Sequence, residues 1–167
     1  LFLDRVIDKS KFPLQEVANA VSKTRKIGLG VMGVHDALIK MRIPYDSHDA
    51  LVFVEHVLEE IRMESNRTSE MIAVEKGAWD DSSKRRNACL TCIAPTGSIS
   101  LIAECSSGIE PNFSYVYTRK NTVGKEFKII HPLFMEALNN LKIPIEEKDE
   151  IVEEMYCYGS IQDDPYL

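Results

Sequence analysis

Apolar positions recur along this chain at two different spacings, and the changes between them mark out its elements. Residues 1–9 alternate apolar and charged side chains in a helical rhythm, Leu1-Phe2-Leu3-Asp4-Arg5-Val6-Ile7-Asp8. Pro13 marks a second helix start, and residues 14–23 continue at helical spacing. Ile27 to Val31 is apolar but punctuated by Gly28 and Gly30, which leaves it either a buried strand or a close-packed turn. Residues 33–41 read as a helix. After the loop around Pro44, Ser47 or Asp49 can cap the longest element, residues 48–76. There Leu51, Val54, Val57, Leu58, Ile61, Met71, Ile72 and Val74 recur mostly at steps of three and four. Glu59, Glu60, Arg62, Glu64 and Arg67 take the opposite face, and Gly77 stops the helix.

Residues 78–87 form a charged stretch predicted to be an exposed loop. The run from Cys89 to Ala94 suits a buried strand, which Pro95 ends because it has no N–H for a ladder. A Thr96-Gly97-Ser98 turn follows, and Ile99 to Ala103 opens a helical turn. Phe113 to Arg119 alternates and is rich in aromatics, so it is predicted as a strand. Residues 132–141 and 145–156 are predicted helices separated by Pro144. Strands alternating with helices predict an α/β domain with mainly parallel pairing.

Composition narrows the class. With 44% hydrophobic and 28% charged residues the chain is globular in character, not disordered. No apolar run approaches the roughly 20 residues that cross a bilayer, and nothing resembles a signal peptide. A net charge of −6 argues against a nucleic-acid surface, and the short Lys84-Arg85-Arg86 cluster reads as a solvated turn. Four irregularly spaced cysteines do not make a disulfide scaffold, so reduced thiols in a cytoplasm are expected. The chain opens without an initiator Met inside an amphipathic pattern and closes on Asp163-Asp164-Pro165-Tyr166-Leu167, so residues 1–167 are expected to be one partial domain of a longer polypeptide.

Candidate chemistry centres on residues 87–111. If Ile99 to Ala103 is helical, free N–H groups near Thr96 to Ser100 point at an anion, the physics of a phosphate cradle. An ordinary strand–turn–helix junction has the same pattern. Gly28-x-Gly30-x-x-Gly33 fits the dinucleotide fingerprint literally, yet a poor strand precedes it and the suitably spaced acid, Glu55, falls inside the long helix. Close packing of backbone explains those glycines better. Cys89 and Cys92 lie in a predicted strand, not at a helix start, and are read as buried packing residues. No pair among His35, His48, His56 and His131 has helical metal-site spacing, so no metal site is expected. Glu110, extended before Pro111, either borders a substrate cavity or fixes its turn.

Two strings carry a family resemblance. Ala94-Pro-Thr-Gly-Ser-Ile-Ser100 followed by Cys105-Ser-Ser-Gly-Ile-Glu-Pro111 resembles the substrate-phosphate loop of the ribonucleotide reductase catalytic subunit, and is most similar to the adenosylcobalamin-dependent class II enzymes. Ser98 stands where that family has Thr. Arg25-Lys-Ile-Gly-Leu-Gly-Val-Met-Gly33 resembles a second family segment. Gly77-Ala78-Trp79, Arg86-Asn87, Tyr117-Thr118-Arg119 and His131-Pro132-Leu133-Phe134 sit where the family has similar residues, so the likeness spans nearly the whole chain in order. The resemblance implies part of the second half of a ten-stranded α/β barrel, with an open strand edge in this chain taken alone. It implies Pro95, Thr96, Gly97, Ser98 and Ile99 as the substrate-phosphate site, a ribonucleotide substrate, and adenosylcobalamin as the parent's cofactor with none expected on this segment. It implies a homodimeric parent whose thiyl-radical cysteine lies upstream, so no catalytic residue is expected among Cys89, Cys92, Cys105 or Cys157. Two other readings stand beside it: a split subunit completing a partner's barrel, and a nicotinamide-binding enzyme using Gly28 to Gly33.

Overall fold

The computed structural model describes residues 1–120 and 123–161; the terminal residues 163–167 lie outside them. Seven helices and one hairpin are found among the described residues: α1 (Phe2–Lys9), α2 (Gln15–Thr24), α3 (Val34–Met41), α4 (His48–Lys76), α5 (Gly97–Ala103), β1 (Val116–Lys120), β2 (Glu126–Ile130), α6 (Pro132–Asn140) and α7 (Ile145–Tyr158). The ends of α4 follow from its local chemistry. The Ser47 hydroxyl accepts the Ala50 N–H, and Gly77 takes the positive φ that closes the helix.

Pairing differs from the expected parallel arrangement. β1 and β2 form an antiparallel hairpin in which Val116 faces Ile130 and Lys120 faces Glu126. Among the described residues, parallel pairing is confined to a short contact between residues 27–29 and 89–92, with Leu29 bridging Thr91. There the Ile27 N–H donates to the Cys89 carbonyl at 3.0 Å, the Leu29 N–H to that of Leu90 at 2.8 Å, and the Cys92 N–H to that of Leu29 at 3.0 Å. Of this segment only Leu90 is buried. Cys89 and Cys92 are exposed, contrary to the packing role expected of them, because the two-strand contact has an uncovered face. The predicted aromatic strand also starts later, at Val116, leaving Phe113 outside and exposed.

Two apolar cores form. Val116, Phe134, Leu138, Ile151, Val152 and Met155 bring together the hairpin, α6 and α7. Val34, Leu38 and Ala50 join α3 to α4, with Ile109 of the Ser/Gly-rich turn packed against them. A polar knot joins the N-terminal helices to the short parallel contact. Arg25, left-handed at the end of α2, donates to the Asp4 carboxylate and main chain and to Asp8. The Asn87 amide donates to Asp4 and to the Arg25 carbonyl, and its Oδ1 accepts from Ser69 of α4. Asn87, expected in an exposed loop, is 1% accessible. The network converges on Asp4 Oδ1, while the buried Asp4 Oδ2 has no hydrogen-bond partner, so each remaining bond matters. Asn87→Ala strips partners from Asp4, Ser69 and Arg25 together and is expected to destabilise by about 2 kcal/mol. Chemical denaturation of the gene product measures this, and an unchanged midpoint would show that the knot contributes nothing.

Candidate phosphate-binding site

Pro95 ends the extended run, and the chain turns abruptly at Thr96, which takes φ 52°, ψ 22°. A β-branched residue rarely adopts this left-handed conformation, so the turn is strained and something must hold it. The holder is Gly108, whose N–H donates to Thr96 Oγ1 at 2.7 Å. Gly108 itself has φ 51°, and a Cβ there would stand 2.6 Å from the Ala94 carbonyl oxygen. Only glycine fits that approach.

The turn opens α5 at Gly97, two residues earlier than expected. The Gly97, Ser98 and Ile99 N–H groups have no acceptor within the helix, since the first bond of its ladder is the one from Ser100 to Thr96. Pro95, Gly97, Ser98 and Ile99 are exposed, whereas Ser100 is buried and its hydroxyl lies 2.9 Å from that of Ser107. The five expected site residues therefore lie together on one turn, four of them exposed and the half-buried Thr96 tied inward to Gly108. Glu110 is not among them. It is half-buried, its N–H donates to the Ser107 carbonyl, and its backbone helps close the 107–110 turn.

A cleft of about 750 Å³ lies beside the turn, with Gly30, Met32, Ile61, Ile72 and Leu90 in its walls and Thr96 and Ile99 at its border. Its apolar character suits no polyanion. Gly28 and Gly30 lie against Cys92: added Cβ atoms would stand 2.8 Å from its Cβ and 2.3 Å from its carbonyl oxygen, respectively. Gly33, at φ 82°, precedes α3. These glycines serve close backbone packing, and Glu55, the acid that a dinucleotide site would need, lies within α4.

Behind the 95–99 turn, Asp36 and Asn112, which sequence reasoning did not single out, form a second network with Ser106 and His35. Asp36 Oδ2 accepts the Ser106 N–H at 2.9 Å, and Asp36 Oδ1 accepts the Asn112 side-chain amide at 3.1 Å. His35 Nδ1 accepts the Asn112 main-chain N–H at 2.9 Å. Burial lowers the His35 pKa, with His131 adding to the effect and Asp36 opposing it, which suits a neutral ring acting as acceptor. Burial, and then Asp36, raise the pKa of Cys105, so its thiol is a poor nucleophile. The available sequence signal was Asp36 in the first turn of a helix directly after Gly33. No group of three or more potential metal ligands converges among the described residues.

Comparison with known proteins agrees along the whole chain. The family model described as the ribonucleotide reductase barrel domain matches residues 1–85 and 81–167. The vitamin B12-dependent ribonucleoside-diphosphate reductase of Thermoplasma acidophilum is 46% identical over 155 residues, 87% of this chain and 20% of that protein. The protein of the same name from Mycobacterium tuberculosis is 37% identical over 174 residues, 99% of this chain and 25% of the relative. Among solved structures, the Actinobacillus ureae class Id ribonucleotide reductase alpha subunit matches with a TM-score of 0.74 at 27% identity, covering 99% of this chain and 30% of its own. The chain thus spans about a fifth to a quarter of the curated relatives it matches. These matches make the chain a member of the ribonucleotide reductase barrel-domain family.

Proposed function

We propose that this chain is a segment of a ribonucleotide reductase catalytic subunit and that Pro95, Thr96, Gly97, Ser98 and Ile99 hold the phosphates of the ribonucleotide. The observation that carries the reading is Thr96, a β-branched residue kept left-handed by Gly108. Strain of this kind persists where the surroundings enforce it and clusters at ligand sites. The turn presents the N–H groups of Gly97, Ser98 and Ile99 outward at a positive helix end, and the Ser98 hydroxyl adds a further donor. Holding the phosphates fixes the ribose for attack, a positioning contribution to the rate.

The parent reaction is replacement of the ribose 2′-hydroxyl by hydrogen, started by a thiyl radical on a cysteine outside this segment and supplying deoxyribonucleotides for DNA synthesis. The names of the relatives favour diphosphate substrates and vitamin B12 dependence. When bound to the parent, adenosylcobalamin supplies the radical by homolysis of its carbon–cobalt bond. The residues present here do not fit a site for that cofactor. His35 and His131 both commit Nδ1 to backbone N–H groups, and the outward face of the phosphate turn suits an anion. This segment's own contribution is substrate anchoring. We place the parent in the cytoplasm as a homodimer acting on free nucleotides; no helix among the described residues is long and apolar enough to cross a membrane.

The test is reduction of ribonucleoside diphosphates by the full-length gene product with a dithiol, with and without adenosylcobalamin. Cobalamin-dependent turnover is expected, and none from the 167-residue chain alone. Failure of the full-length product to reduce any ribonucleotide, or turnover by the short chain, would overturn the proposal. Turnover that needs a separate radical-generating subunit instead of cobalamin would overturn the class assignment.

A further inference from the structure

The phosphate turn cannot hold its own shape. Thr96 is strained, and α5 has only 7 residues, too few to be stable without tertiary support. Its support comes from residues 106–108: Gly108 holds Thr96, and Ser107 holds Ser100. That support is itself irregular backbone, so it too needs an anchor.

The anchor is the start of α3. The Gly33 N–H donates to the Ser106 carbonyl at 2.8 Å, the Ser106 N–H donates to Asp36 Oδ2 at 2.9 Å, and the Asp36 N–H donates to Ser106 Oγ at 3.3 Å. Both main-chain polar groups of Ser106, and its hydroxyl, are thus satisfied by the first turn of one helix. Ser106 is 2% accessible, so water does not replace these bonds readily. Asp36 also grips the far end of the same loop. Its Oδ1 accepts the Asn112 amide at 3.1 Å and lies 3.4 Å from His131 Nε2, while the adjacent His35 ring accepts the Asn112 N–H. One carboxylate therefore pinches residues 106 and 112 together and sets where Gly108 meets Thr96.

We propose that Asp36 is a positioning residue for substrate phosphate, acting through Ser106, Gly108 and Thr96 without touching the ligand. The inference rests on the phosphate reading of Pro95 to Ile99. Loss of the carboxylate frees the 106–112 loop, lets Thr96 relax from its left-handed conformation and disperses the three N–H groups. Binding then becomes weaker because part of the binding energy goes into re-forming the turn.

The experiment titrates a ribonucleoside diphosphate into the full-length gene product carrying Asp36→Ala, Asp36→Asn or Gly97→Val, recording both Kd and the fraction of sites titrated. Asp36→Ala is expected to raise Kd about tenfold with the titrated fraction unchanged. Asp36→Asn keeps a carbonyl acceptor for Ser106 and should recover about half of that loss on a logarithmic scale. A merely structural residue would lower the titrated fraction and leave Kd alone, and that result overturns the inference. Should Asp36→Ala fail to fold, the isosteric Asn variant decides: an unaltered Kd refutes the role. Weakened binding in Gly97→Val beside normal Kd values in both Asp36 variants sinks this inference alone. Normal binding in Gly97→Val removes the phosphate reading and this inference with it.

Discussion

Gly97→Val in the full-length gene product is expected to weaken ribonucleotide binding about a hundredfold while the protein folds as before. The two halves of that expectation have separate physical grounds. A Cβ added at Gly97 meets nothing within 4 Å, and Gly97 does not occupy the left-handed region. Valine is a slightly better helix former than glycine, by a few tenths of a kcal/mol, so the substitution costs the helix nothing in propensity. The same open space is where a phosphate must stand to reach the Gly97, Ser98 and Ile99 N–H groups. A branched side chain there holds the anion away from these donors and forfeits one or two charge-assisted hydrogen bonds, about 1.5–3 kcal/mol each. A hundredfold change in Kd corresponds to about 2.7 kcal/mol, within that range. Calorimetric titration beside a thermal melt separates the two halves. Wild-type affinity in a normally folded Val variant would remove the turn from the substrate site.

Elements whose signals are local were legible from the residues alone. α4 begins after Ser47 and stops at Gly77 as expected, because a hydroxyl cap and a positive-φ glycine act within one turn of the residues that carry them. The turn at residues 95–97 was legible for the same reason, through Pro95 and the small residues after it. What eluded the sequence depends on partners far along the chain. Asn87 sits in a charged run yet is buried, because its partners are Asp4, Arg25 and Ser69. The grip of Asp36 on Ser106 and Asn112 spans 70 and 76 residues. β2 went unpredicted although Glu126-Phe127-Lys128-Ile129 alternates polar and apolar residues, because the run is only five residues long. Cys89 and Cys92 look like core residues in composition, but burial depends on what covers a strand face, and the short parallel contact is uncovered.

Gly30→Ala makes the opposite case to Gly97: one methyl group, no ligand involved, and a large loss of stability. An added Cβ at Gly30 would stand 2.3 Å from the Cys92 carbonyl oxygen, far inside van der Waals contact. That oxygen is backbone, so no rotamer change relieves the clash, and the two segments must separate. Separation stretches the hydrogen bonds that define the contact, Leu29 to Leu90 at 2.8 Å and Cys92 to Leu29 at 3.0 Å. Overpacking costs about 1–3 kcal/mol, and each weakened hydrogen bond adds about 1 kcal/mol. We therefore expect a loss of about 3–5 kcal/mol, at the severe end for a single substitution. Gly77→Ala is the control: it also adds one methyl group, at φ 85°, but into open space. Gly77 has ψ 152°, an extended positive-φ conformation nearly restricted to glycine, so the substitution should cost only backbone strain, about 1–3 kcal/mol. Soluble yield and the thermal midpoint of the two variants discriminate directly. If Gly30→Ala is no worse than Gly77→Ala, the glycines of the Gly28 to Gly33 string do not serve backbone packing. A ligand role for that string would then have to be reopened, because nothing else in the structure requires a bare Cα at residue 30.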